Sequence, residues 1–197
     1  MSDITENIIG GRKLEEFWSE LAKKLEKKDN IFQVADFDYT LFSRDEQFTG
    51  IPELLNNRAD KGPAYLFENY GMIEFLEKYY KNHPLPKGII EKFDPSRDII
   101  MTAGGSKDFQ IAKVRSCPEL NDFRVVLTYD GKEKIPELIR YILFELRYIP
   151  SEIIVYEDRP QYFVEYRDFV EETLGTKLTV MKVEMDGNEG YKSIGEV

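Results

Sequence analysis

Cysteine and histidine are nearly missing from this chain, which has Cys117 and His83 as its only examples among 197 residues. A lone cysteine forms no internal disulfide, which fits a reducing, cytoplasmic setting, and in the turn-like SCPEL it reads as structural. One histidine excludes a multi-histidine metal site. It also routes any Ser-His-Asp or Cys-His chemistry through His83, which sits in the loop-like KNHPLPKG and reads as solvated. No apolar run approaches the roughly 20 residues of a membrane span. The start, MSDITENIIGG, lacks a basic stretch leading into an apolar core, so no secretion signal is expected. Positive charge is also in deficit. A net charge of −10 disfavours an extensive nucleic-acid-binding surface, while leaving room for a small basic pocket. What remains is the composition of a globular chain, 42% hydrophobic and 13% aromatic.

Neither an internal repeat nor a low-complexity segment is present. Five short apolar stretches read as strands covered on both faces: Ile31–Ala35, Asp98–Thr102, Arg124–Thr128, Glu152–Tyr156 and Leu178–Glu184. Helical patterns alternate with them, over Leu14 to about Lys27, about Ala64–Lys81, Ser106–Arg115, Pro136–Arg147 and Gln161–Leu174. This alternation predicts an α/β fold, a doubly wound, mainly parallel five-stranded sheet with helices on both faces. Residues 1–185 read as one domain, with an N-terminal helix near 12–28 and a small flap or helical insertion over about 43–97 in place of a large cap. The tail from 186 to 197 reads as frayed and flexible. The aromatics around Tyr65, Phe67, Tyr70, Tyr79 and Tyr80 read as core in preference to a base-stacking surface.

In open α/β sheets ligands sit beyond the carboxyl ends of the strands. The first strand delivers Asp36, Asp38 and Thr40; the second delivers Thr102, Ala103 and then Gly104-Gly105-Ser106 leading into a helix. The third is followed by Lys132 and Lys134, and the fourth ends in Glu157, Asp158 and Arg159. Two adjacent carboxylates at a strand end repel each other unless something positive sits between them. Carboxylate oxygens suit Mg²⁺, a glycine-led helix start suits an anion, and a lysine suits a phosphoryl group gaining negative charge. An ionised Asp can attack phosphorus, and a second one two residues on can carry the proton.

These four segments, VADFDYTLF, IIMTAGG, the lysine at a helix start and IIVYEDR, resemble the motifs of the haloacid dehalogenase-like (HAD) superfamily of phosphohydrolases. The YEDRP stretch and the helix after it are similar to the RNA-repair-like "Swiss army knife" branch and, more distantly, to polynucleotide 3′-phosphatases. The resemblance implies a HAD-like Rossmannoid fold and a Mg²⁺-dependent phosphomonoester hydrolase working through an aspartyl-phosphate. Asp36 would be the nucleophile and Asp38 the general acid/base. Thr102, Ala103 and Lys134 would bind the phosphate, with Lys132 the alternative lysine. Mg²⁺ would be held by Asp36, the main-chain carbonyl of Asp38, and Asp158, with Glu157 farther out. Two positions depart from the pattern. Tyr39 stands where the family has Gly or Asn, and Thr102-Ala103-Gly104 lacks the arginine of the RNA-repair-like branch.

The implied partner is a phosphorylated substrate, a nucleotide, a nucleic-acid end or another phosphate ester, with no membrane. Two rival readings exist. One is a non-catalytic module that keeps the fold and binds phosphate and Mg²⁺. The other is a phospho-receiver domain, which fits less well because Asp130 falls past the third strand and the fourth strand ends in acids.

Overall fold

The computed structural model describes residues 8–9, 12–43, 71, 73, 76–77, 80–81, 84–104, 106–187 and 189–197. The segment expected as a flap, 43–97, the expected helix over 64–81 and His83 fall largely or wholly outside them.

Two residue pairs, β1 (Ile8–Ile9) and β2 (Arg12–Lys13), form a small antiparallel ribbon ahead of helix α1 (Leu14–Ala22). The main sheet has six strands: β3 (Lys27–Ala35), β4 (Ile99–Ala103), β5 (Arg124–Thr128), β6 (Ile149–Glu157), β7 (Lys177–Asp186) and β8 (Gly190–Glu196). Their spatial order is β5-β4-β3-β6-β7-β8, with every pair parallel except β7–β8. The order therefore runs outward in both directions from β3, and the switch point lies between β3 and β6. In a doubly wound sheet this is where the crossovers leave in opposite directions and open a crevice.

Strand side chains alternate between two apolar layers. Phe32 and Val34 of β3 join a cluster with Trp18 of α1, with Ile135, Leu138 and Ile139 of α3 (Lys134–Tyr141), and with Val170 and Leu174 of α5 (Arg167–Leu174). Ala35 and the following Phe37 and Phe42 belong to the opposite layer, with Phe109 and Val114 of α2 (Lys107–Arg115). Tyr80 packs there with its ring 4.8 Å from that of Phe42, a core position and not a base-stacking one. At the amino end of β4, Asp98 is fully buried and well satisfied, accepting from Gln33 N, Asp94 N and the Arg97 side chain.

The expected α/β, mainly parallel architecture holds, with three differences in detail. The tail is strand β8, not a frayed end. Asp186-Gly187, with Gly187 at φ 60°, turns the chain back as a hairpin, and Tyr191 and Ile194 pack on the core. Helix α1 stops at Ala22, because Lys27 and Lys28 already pair with Ile149 and Pro150. The stretch Gln161–Leu174 is two helices, α4 (Gln161–Val164) and α5, because Tyr166 leaves helical angles at φ −116°, ψ 13°. Gly175 ends α5 in the left-handed conformation at φ 67°.

Cys117 lies fully buried after α2, and burial pushes its thiol up to about 12. The native protein should therefore resist a charged disulfide reagent at mildly alkaline pH and react at its one thiol only in denaturant. Spectrophotometric thiol counting checks this. Rapid native reaction would place Cys117 at the surface.

Candidate active site

Pairing between β3 and β6 continues past the last strand residue, as Asp36 N donates to Tyr156 O at 3.0 Å. This sets Asp36 beside Glu157 at the switch point. The chain then turns tightly, with Leu41 N and Phe42 N both donating to Phe37 O and Tyr39 N to Phe42 O. The turn needs a left-handed residue, which is Tyr39 at φ 61°. A glycine or asparagine adopts that conformation at little cost, which explains the resemblance's preference at this position. Thr40 is fully buried, and its hydroxyl oxygen accepts the Asp158 N–H at 3.0 Å, tying the β3 turn to the β6 turn.

Lys134, the first residue of α3, sits between these two strand ends. Its Nζ lies 2.8 Å from Asp36 Oδ1 and 2.5 Å from Glu157 Oε2, and all three side chains are buried. Tyr162 of α4 packs over the turn before α3. It approaches so closely that a Cβ on Gly131 would stand 2.5 Å from its ring.

Burial alone would push Lys134 down. The negative charges of Asp36 and Glu157 and their hydrogen bonds outweigh it and hold the ammonium above its ordinary value. Burial raises Asp36, reinforced by Asp38 and Asp158 and opposed by Lys134. Burial and then the charge of Asp36 push Glu157 well above the usual carboxylate range, again against Lys134. With both carboxylates ionised, one ammonium leaves the corner with surplus negative charge, which together with burial is why both hold their protons more tightly than free acids.

Asp36, Glu157 and Asp158 each offer a carboxylate oxygen, all within 4.8 Å of one another. The donor set is oxygen only, and the surplus charge calls for a cation. Both features fit a hard divalent ion such as Mg²⁺. Glu157 belongs to this cluster directly instead of standing farther out.

The other expected residues lie on the α2 side. Asp38 forms an ion pair with Lys113 of α2. Thr102, fully buried, donates its hydroxyl to Gln110 Oε1 at 3.1 Å, while Ala103 is half-buried at the end of β4. Gly104 N donates to Thr128 O at 3.0 Å, so this amide is engaged within the sheet edge, and Gly105 is outside the described residues. Lys132 is exposed, and its backbone N–H donates to Asp130 Oδ1. Arg159 is exposed and pairs with Asp158 at 3.6 Å. Gln110 and Lys113 escaped the sequence reading. In the fold both lie on the inward face of α2 with Phe109 and Val114, a direction that only the packed structure reveals.

A groove of about 460 Å³ adjoins the corner, lined by Tyr39, Ser43, Asp158, Met185, Asp186 and Lys192 among others. It leads from Asp158 along the β7–β8 hairpin.

No family model and no curated protein matches the chain. Among solved structures, similarity is found to a protein named as a haloacid dehalogenase-like hydrolase from Burkholderia xenovorans. It is 13% identical and aligned over 78% of this chain and 81% of that one, with a TM-score of 0.44.

Replacing Lys134 by Met would leave two buried carboxylates without a counter-charge and should cost about 3–5 kcal/mol of stability. The loss has a definite pH dependence. Asp36 and Glu157 already hold their protons to higher pH than free carboxylic acids, and removing the ammonium strengthens that tendency. The native variant then binds more protons than its unfolded chain, so its stability falls as pH rises. Denaturant titrations of Lys134→Met should show its stability rising as pH is lowered from neutral toward the range where free carboxylic acids titrate. A flat profile would contradict the charge balance described.

Proposed function

We propose that the protein is a Mg²⁺-dependent phosphomonoester hydrolase that works through an aspartyl-phosphate on Asp36. The observation that supports this best is the meeting of Asp36, Glu157, Asp158 and Lys134 at the carboxyl ends of β3 and β6. Asp36, Glu157 and Asp158, with the main-chain carbonyl of Asp38, would hold the ion, whose part when bound is to offset phosphoryl charge as an anion approaches.

The chain's own residues then divide the work. Lys134 fixes one oxygen of Asp36 and presents a cation where a phosphoryl oxygen gains charge. The Asp36 carboxylate forms the new bond to phosphorus as the ester P–O bond breaks. Asp38, two residues on and partly open to solvent, gives a proton to the leaving oxygen. It takes one back from the water that reopens the acyl phosphate. Thr102 would contact the phosphate after its hydroxyl turns from Gln110. A nucleotide, a nucleic-acid end or another phosphate ester all fit this scheme, and the net charge of −10 weighs against long polyanions.

Asp36→Asn should abolish phosphate release from an aryl phosphate. Chelation should do the same reversibly, activity returning on addition of Mg²⁺. Full turnover by the variant or in excess chelator would refute the mechanism.

A further inference from the structure

Lys113 is 1% exposed, yet it carries a charge on the inward face of α2. Burying an ammonium is costly without a partner. Among the described residues it pairs with the Asp38 carboxylate, and the rings of Phe37 and Phe109 stand 5.1 and 5.7 Å from its Nζ. The two aspartates of the β3 turn are therefore drawn in opposite directions. Lys134 holds Asp36 toward β6, and Lys113 holds Asp38 toward α2. Asp38 is accordingly absent from the group of carboxylates within 4.8 Å of one another, which consists of Asp36, Glu157 and Asp158.

We propose that Lys113 is a positioning residue that pins Asp38 outside the cation corner, where its carboxylate meets the water that opens the aspartyl-phosphate. The inference rests on the phosphatase reading above. In the step concerned, the water oxygen bonds to phosphorus while the bond between phosphorus and the Asp36 oxygen breaks. The electron pair returns to the Asp36 carboxylate, and the water proton passes to Asp38. Inorganic phosphate leaves, and Asp38 holds the proton for the next leaving group.

Rapid-mixing kinetics with p-nitrophenyl phosphate, whose leaving group departs without protonation, separate this role from simple packing. Lys113→Met should release about one p-nitrophenolate per chain in a burst, the mark of an accumulating covalent intermediate. Its later turnover should be slower than wild type by about 10²-fold. Mass spectrometry of the quenched protein should find the phosphoryl group on Asp36. Asp38→Asn should behave alike, and Lys113→Arg, which keeps the cation, should restore most of the steady rate. Lys113→Gln repeats the test if the Met variant does not fold.

Burst and steady rate falling together, or neither changing, would overturn the positioning role and leave the phosphatase reading intact. So would failure of both neutral variants to fold, which would make Lys113 a structural residue. A wild-type protein without turnover or phosphorylated Asp36 would overturn the phosphatase reading and this inference with it.

Discussion

The ammonium of Lys134 between Asp36 and Glu157 is the interaction on which the rest depends. It joins the ends of the two central strands to the start of α3, and it does so where little water is present to screen the charges. Ion pairs of this kind are poor sources of stability, because desolvation consumes much of the attraction. What the pair supplies is geometry. Asp36 keeps one oxygen engaged and one available, and Glu157 is held close enough to share a cation with it.

That geometry follows from the strand order. β3 and β6 are neighbours in the middle of the sheet, paired in register up to Ala35 and Tyr156, and both are covered on two faces. Residues that follow immediately after them have little freedom. Thr40 then clamps the β6 turn through Asp158 N, and Gly131 lets Tyr162 close over the approach to α3. Asp98, just before β4, is a useful contrast. It is as buried as Asp36, but hydrogen bonds and Arg97 satisfy it well, so it has a structural reading and needs no ligand.

Much of this was readable before the fold was seen, for a physical reason. Strands covered on both faces must be apolar throughout, so a carboxylate just past VADFDYTLF or IIVYEDR stands out against its surroundings. Asp36 and Asp158 could thus be picked out at strand ends, whereas the lysine was narrowed only to Lys132 or Lys134 ahead of a helix. Lys113 and Gln110 could not, because a lysine or glutamine in KDFQIAKVR looks like any solvated helix residue until its inward direction is known. Strand β8 was hidden by its polar, glycine-containing sequence. Its main contribution is backbone pairing along the β7 edge, which composition barely records. The break at Tyr166 was invisible because both halves of Gln161–Leu174 keep helical spacing.

The left-handed conformation of Tyr39 ties the tight turn after Asp36 to the groove beside Asp158. A side chain at such a position carries a backbone penalty of about 1 kcal/mol that glycine would avoid. Tyr39 nonetheless lines the groove together with Asp158. If the proposed phosphatase chemistry holds, an alcohol leaving by this groove would pass Tyr39. The backbone turn that follows Asp36 and the side chain that lines the groove belong to one tight loop, so a substitution at residue 39 alters both together.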